Sequence, residues 1–260
     1  MLRGKVTFDS NQGARFYQED RYIALRPQIK GNFSGWLLAV MDGHGGSEVS
    51  EFCLDNIPNI FFKATNLGRQ SVNEAILKQI VGLLAKETNN MEAGSTLSLV
   101  YVDEVASVAR VAVLGDSPVV VRDSTGKIVL SPEHNVRTNG VELEAAKKRG
   151  AIYDPRGYIC NSEGYTQLSR ALGDRIFSDF VSHEPETYSV NLGPDSFVLV
   201  ASDGLVDPAH GDTESDIESL IDSIADQIDK GATAKDLVDN AVNIRKTKDN
   251  ATAVLWRASS

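Results

Sequence analysis

The sequence predicts an α+β fold built on mainly antiparallel sheets, and two patterns predict it. Short β-rich runs cluster together instead of alternating one-to-one with helices, as a doubly wound parallel sheet would need. The 260 residues contain no internal repeat, linker or low-complexity tract, so a single domain over 1–260 is the economical organisation. With 42% hydrophobic residues the chain can build a buried core, which argues against disorder and against a coiled coil.

The first elements read as strands. Residues 5–8, 21–25 and 36–41 are short β-rich runs divided by turn residues. Residues 47–56 read as a helix that stops before Pro58. The clearest early helix is 71–86, with Val72, Ala75, Ile76, Ile80, Leu83 and Leu84 on one stripe; Ser71 and Glu74 are spaced as a capping box. Four β runs follow, at 96–102, 107–114, 118–122 and 127–130. Asp123-Ser124-Thr125-Gly126 between the last two is a hairpin turn signal. A helix over 141–149 stops at Gly150. Residues 151–188 are irregular and rich in Gly, Pro, Ser and charge, the composition of a functional flap. A buried strand is expected at 198–202, helices at 214–228 and 233–244, and a final strand at 251–256.

Charge and targeting signals narrow the function. Lys and Arg number 26 against 36 Asp and Glu, a net charge of −10 with no basic block, so neither nucleic acid nor an anionic membrane is an expected partner. Met1-Leu2-Arg3-Gly4-Lys5 has no apolar region behind it, and no stretch approaches the roughly 20 apolar residues that span a bilayer. A cytoplasmic protein is expected. Cys53 and Cys160 form no C-x-x-C. Cys53 falls in a predicted helix and reads as a small packing residue, and a single disulfide between the two stays open.

The acids stand out by where they fall. Asp42 follows the apolar run 37–41 and precedes Gly43-His44-Gly45-Gly46; Asp203 follows 197–202 and precedes Gly204. Asp249-Asn250 precede the last strand, and Glu19-Asp20 precede the second. One Asp-Gly alone is a turn. Four strand ends each presenting an acid are a different matter, because gathered carboxylates repel unless protonated or neutralised by cations. Hard divalent ions, Mg²⁺ or Mn²⁺, match an all-carboxylate set, and the adjacent glycines allow close backbone approach. Beside such a site His44 becomes a candidate proton donor and Arg15 a fork-shaped donor to a phosphate. His134, His183 and His210 read as surface residues in loops.

These residues, in this order, resemble the metal-dependent serine/threonine protein phosphatases (the type 2C, or PPM, family). The matching segments are Arg15…Glu19-Asp20, Asp42-Gly43-His44-Gly45-Gly46, Gly94-Ser95-Thr96, Gly115-Asp116-Ser117, Ser169-Arg170-Ala171-Leu172-Gly173-Asp174, Ser202-Asp203-Gly204…Asp207 and Asp249-Asn250. The resemblance implies a central β-sandwich flanked by helices on both faces (αββα), with a flap at about 151–188. It implies that Asp42 bridges two divalent cations, Mn²⁺ or Mg²⁺. Asp203 and Asp249 complete the first, the Gly43 carbonyl joins Asp42 on the second, and Glu19 and Asp20 hold coordinated waters. Asp116 and Asp207, with Asp203, match a weaker third cation site. Arg15 would grip the substrate phosphate, His44 would protonate the departing oxygen, and Arg170 belongs to the flap that meets the substrate.

The implied reaction is hydrolysis of phosphoserine and phosphothreonine on proteins, by attack of a metal-bridging water on phosphorus. A phosphoprotein is then the partner and a monomer the expected state. With Arg15 near one end and the last strand near the other, a bare catalytic domain is expected. A catalytically inactive relative serving as a scaffold is the alternative, though every matched acid is present. No D-x-D-x-D-G loop, G-x-x-x-x-G-K-[ST], G-x-G-x-x-G or G-x-S-x-G occurs, which removes calcium-loop, nucleotide-binding and serine-hydrolase readings.

Overall fold

The computed structural model describes residues 2–27, 35–66, 70–206 and 214–259. Its strands in chain order are β1 (Gly4–Asn11), β2 (Arg21–Leu25), β3 (Gly35–Met41), β4 (Gly43–His44), β5 (Gly94–Ser95), β6 (Leu97–Asp103), β7 (Val108–Leu114) and β8 (Val119–Arg122). They continue with β9 (Ile128–Leu130), β10 (Ile152–Asp154), β11 (Tyr158–Cys160), β12 (Tyr165–Thr166), β13 (Leu172–Gly173), β14 (Glu186–Asn191), β15 (Phe197–Ala201) and β16 (Ala251–Ala258). The helices are α1 (Glu48–Ala64), α2 (Glu74–Thr88), α3 (Gly140–Lys148), α4 (Glu214–Asp229) and α5 (Ala234–Asp239).

Two five-stranded antiparallel sheets, ordered β1-β16-β15-β8-β9 and β14-β7-β6-β3-β2, form the predicted sandwich. Side chains on successive strand residues point to opposite faces, and here both faces are covered. Leu37, Ala39 and Met41 of β3 pack under Cys53, Ile57 and Phe61 of α1 and Ile80 and Leu84 of α2. Leu38 and Val40 instead meet Val198, Val200, Val254 and Trp256 between the sheets. On the far side Leu199 and Leu255 pack against Ile221, Ile224 and Leu237 of α4 and α5. Double coverage explains why the central strands read as continuous apolar runs although they are antiparallel.

Register gathers the acids. Arg21 pairs with Met41, so the start of β2 lies beside the end of β3. Leu97 pairs with Leu114, and Ala201 with Ala253, so the ends of β7 and β15 lie beside the starts of β6 and β16. Residues just outside those pairs include Asp20, Asp42, Asp116, Asp203 and Asp249. They come from distant parts of the chain to one end of the sandwich.

Several boundaries differ from expectation. α1 runs through Pro58 to Ala64. A mid-helix proline costs about 3 kcal/mol, but continuing the turn buries Ile57, Phe61 and Ala64 on the face already made by Val49 and Cys53. The cap of α2 is Asn73, whose side chain accepts from Ile76 N at 3.0 Å, in place of the Ser71–Glu74 box. Leu83 is 42% exposed, and Leu77 takes its place on the buried stripe. The helix expected over 233–244 is capped by a Thr233–Asp236 box, holds to Asp239, and then widens into a π turn over Asn240–Ile244. The flap is not irregular throughout: β10, β11 and β12 form a small antiparallel sheet, and from Glu186 the chain is already the β14 edge of the main sandwich. Strands this short carry too little alternation to be read from sequence. Both cysteines are free, with Cys53 buried and its thiol pushed up to about 12 by that burial.

Candidate active site

Several of these acids are held by neighbours from the other sheet or from nearby connecting segments. Ser202 Oγ donates to Asp20 Oδ2 at 2.7 Å, and the Glu19 N–H donates to Asn250 Oδ1 at 2.8 Å, joining the two sheets at this end. Glu19 Oε1 accepts from Gly46 N at 2.7 Å. The Asp42 backbone is clamped by Thr96, whose N–H reaches Asp42 O at 2.9 Å. Asn135 Nδ2 donates to Asp116 Oδ2 at 2.9 Å. The glycines expected to permit close approach do so: a Cβ on Gly43 would lie 2.7 Å from Glu19 O, and one on Gly204 only 1.9 Å from Asn250 O. Arg15 reaches Asp249 Oδ2 with Nη2 at 2.5 Å while staying half exposed at the rim.

The electrostatics show what the set lacks. Burial pushes Asp20 up to about 7, with Asp203 and Asp249 adding repulsion. Burial and then Asp203 do the same to Asp116, also to about 7. Asp42 is raised well above the ordinary carboxylate range, by burial first and then by Asp20, Asp203, Asp249 and Asp116 together. Asp20 Oδ1 is buried with no hydrogen-bond partner among the described residues. An all-oxygen set with surplus negative charge and an orphaned carboxylate oxygen fits hard divalent cations. Asp207 and His210 lie outside the described residues.

His44 has a partner that the sequence did not reveal. Its Nε2 lies 2.9 Å from Asp174 Oδ2 and 3.0 Å from Oδ1. The pair exists because β4, β5 and β13 form a three-stranded sheet in which His44 faces Gly94 and Gly94 faces Gly173. A Cβ on Gly94 would sit 2.2 Å from His44 Nε2 and 2.5 Å from Asp174 Oδ1. Burial alone would lower the imidazole; the Asp174 charge and hydrogen bond, helped by Asp116 and Glu19, outweigh it and raise His44 above its usual value. Sequence placed Asp174 at the end of the matching Ser169–Asp174 segment but gave it no role; in the fold its backbone is left-handed, at φ +55°.

Arg170 lies apart from the acids' cavity. Its guanidinium grips both oxygens of Glu142, at 2.6 and 3.1 Å, and reaches Glu186 Oε1 at 3.2 Å and the Glu184 carbonyl at 3.0 Å. His134 completes this cluster and is fully buried, not on the surface. Its Nδ1 accepts the Gly115 N–H at 3.1 Å, which places the ring proton on Nε2, 3.6 Å from Glu186. Burial and the Arg170 charge push His134 down to about 4, so it is neutral. His183 is half-buried. The ligand atoms of His134, Glu142 and Glu186 lie within 4.8 Å of one another. A guanidinium already balances them, and the histidine nitrogen facing Glu186 carries a proton, so this trio has no need of a cation.

Comparison with known proteins agrees with the geometry. The sequence profile of the family described as "Protein phosphatase 2C" matches residues 4–251. The chain is 28% identical over 202 residues to "Probable protein phosphatase 2C 30" of Arabidopsis thaliana, covering 75% of this chain and 52% of that protein. It is 27% identical over 257 residues to "Protein phosphatase 2C homolog 1" of Schizosaccharomyces pombe, covering 95% and 70%. It thus spans about half the length of the first of these relatives. Among solved structures, a serine-threonine phosphatase 2C from Toxoplasma gondii superposes with a TM-score of 0.72 at 18% identity, over 98% of this chain and 95% of that one. The catalytic domain of the phosphatase PstP, solved with 2 manganese ions, gives 0.62 at 17% identity over the whole of both chains.

Proposed function

The chain belongs to the protein phosphatase 2C family, and from that premise we propose that it hydrolyses phosphoserine and phosphothreonine on proteins with divalent cations, Mn²⁺ or Mg²⁺. The observation that carries the reading is the convergence of five strand-end aspartates whose buried negative charge is left largely unbalanced. Asp42, Asp203 and Asp249 would hold one cation, and Asp42 with the Gly43 carbonyl a second. Glu19 and Asp20 would hold coordinated waters; the orphaned Asp20 Oδ1 supports that role. Asp116 and Asp203, with Asp207, would take a weaker third. When bound, the cations supply the charge that acidifies a water toward a nucleophile and offsets the phosphoryl oxygens.

The chain's own side chains do the rest. Arg15, half exposed beside Asp249, presents a planar fork to a phosphate and fixes it for in-line displacement. His44 donates a proton to the seryl or threonyl oxygen as its bond to phosphorus breaks. With Nε2 held by Asp174, the proton it gives sits on Nδ1. Against the lowering effect of burial, the Asp174 charge and hydrogen bond raise the pKa of His44, which favours the protonated form that a general acid starts from. Arg170 acts in this reading by fastening the flap through Glu142 and Glu186, not by touching the phosphate.

A single catalytic domain, monomeric and cytoplasmic, completes the proposal. No helix among the described residues is long and apolar enough to cross a membrane, and both cysteines are free. One rice relative, 28% identical over 91% of this chain, carries "mitochondrial" in its name; fractionation of the native protein decides the compartment.

The test is hydrolysis of p-nitrophenyl phosphate and of a phosphothreonine peptide, with Mn²⁺ or Mg²⁺ and with chelator. Turnover should require the cation and collapse in Asp203→Asn. Chelator-resistant turnover, or full activity in that variant, would overturn the mechanism. Cation binding without any turnover would favour the scaffold alternative.

A further inference from the structure

The cavity over the strand-end acids does not end at them. It has a volume of about 510 Å³ and runs from Asp42 and Asp203 out beneath the flap, where Tyr158, Tyr165, Ile176 and Phe177 make its far wall. That wall is braced. The Tyr158 and Tyr165 rings meet edge to face at 5.2 Å, and Phe177 packs on Phe180 at 5.6 Å. Tyr165 still leaves 65% of its surface open. No lysine or arginine lines the cavity among the described residues; apart from His44, its charged groups are acids. Glu92, at the flap side, is paired with Arg175 at 2.5 Å.

We propose that this aromatic wall is a specificity pocket for an apolar side chain of the substrate protein, of Leu or Phe size, next to the phosphorylated residue. The inference rests on the phosphatase reading above. A phosphoryl group bound among the acids beside His44 would occupy only one end of the cavity; Arg15 stands at the rim, on Asp249, and is not part of its lining. Because one extended residue spans at most about 3.6 Å, the neighbouring substrate residue must lie along the same cavity. An apolar side chain there gains by leaving water against tyrosine and phenylalanine rings. A carboxylate there meets the carboxylates of the lining, while the arginines beside the wall, Arg175 and Arg156, are already paired with Glu92 and Asp154, so it is disfavoured. The occupant is therefore set by continuity with the reacting end and by the sign of the charge around it.

The experiment uses phosphothreonine peptides flanked by alanine, with Phe, Leu, Lys or Glu placed singly at each of the two positions on either side. At one position Phe or Leu should exceed Ala in kcat/KM by about tenfold, the worth of burying one such side chain, and Glu should fall below Ala. The Phe-to-Ala ratio should shrink toward one in Tyr165→Ser and survive in Tyr165→Phe; being a ratio, it is insensitive to any general loss of activity. A flat series, Lys surpassing Phe, or a ratio untouched by Tyr165→Ser overturns the inference. p-Nitrophenyl phosphate with Mn²⁺ separates the two failures. Its turnover with a flat peptide series removes only the pocket. No turnover of it or of any peptide removes the phosphatase reading and the pocket with it.

Discussion

Two buried clusters of charge lie in this protein, and they are built on opposite principles. Around Arg170, two glutamates share one guanidinium, and the buried His134 is neutral. Burial there would raise Glu142, but hydrogen bonds from Arg170 and Ser169 hold it below the ordinary carboxylate range. At the end of the sandwich, five aspartates converge with one half-exposed Arg15 at the rim, and Asp20 and Asp116 are driven up to about 7. Breaking a balanced buried pair costs stability, whereas an unbalanced set costs stability until a ligand completes it. The first cluster therefore reads as structure and the second as a binding site.

Neutralising one acid gives the sharpest way to break that contrast. Asp42→Asn should lower kcat by about a thousandfold, comparable to losing the strongest electrostatic contacts in an active site. In chelator the same change should raise the thermal midpoint, by about 2–4 °C for each kcal/mol of repulsion relieved in a chain of this size. Activity assay and calorimetry on one preparation check both signs. A lowered midpoint in chelator would show that Asp42 is not under repulsive load.

The counterpart lies in the balanced cluster. Glu142→Ala leaves Arg170 with Glu186 and a carbonyl only, and should cost about 3 kcal/mol in urea unfolding. Its kcat for p-nitrophenyl phosphate at saturating Mn²⁺ should stay within about twofold of the parent, since surface and structural groups away from the reacting atoms leave the chemical step alone. A loss of kcat as large as that of Asp42→Asn would merge the two clusters into one function.

A smaller effect tests the link between them and the His44 acid. Asp174→Asn should slow phosphothreonine hydrolysis by about tenfold, a fraction of what removing a general acid outright costs. p-Nitrophenyl phosphate, whose leaving group needs little protonation, should be much less affected. The alkaline side of the pH profile should also move, toward lower pH, because the charge that raises His44 is gone and a general acid acts only while protonated. Equal losses on both substrates would reduce Asp174 to a packing role.

How far the site could be read from sequence follows the same division. Asp42, Asp203 and Asp249 were legible because each abuts a long strand buried on both faces, and such runs are visible without any partner. Asp174 lay in a matching segment, but its place opposite His44 was not legible, because that is set by β4, β5 and β13, of two residues each. No periodicity survives at that length. His134 misled for a related reason: it sits in a connecting segment and is buried by pairing with Gly115, a contact that only the folded chain makes. Pro58 misled because tertiary burial of Phe61 outweighed a local penalty.

The least dramatic prediction concerns pH and reports on the unbalanced charge directly. Asp20 and Asp116 have an ordinary value of 3.8 when unfolded and about 7 when folded. Between those values the folded chain holds protons that the unfolded chain has released, so stability falls as pH rises through the window. Their contribution is fully present below about pH 4 and lost above about pH 7. The balanced Glu142, held low, runs the other way and loses its contribution only at acid pH. Divalent cations compete with those protons for the same oxygens. Saturating Mn²⁺ should therefore raise the thermal midpoint more at about pH 7.5 than at about pH 5.5, and the chelated protein should be the steeper of the two across that interval. Asp42→Asn should shrink the difference, while Glu142→Ala should leave it in place. An Mn²⁺-induced shift of the same size at both pH values would mean that the strand-end acids are not where the cation binds.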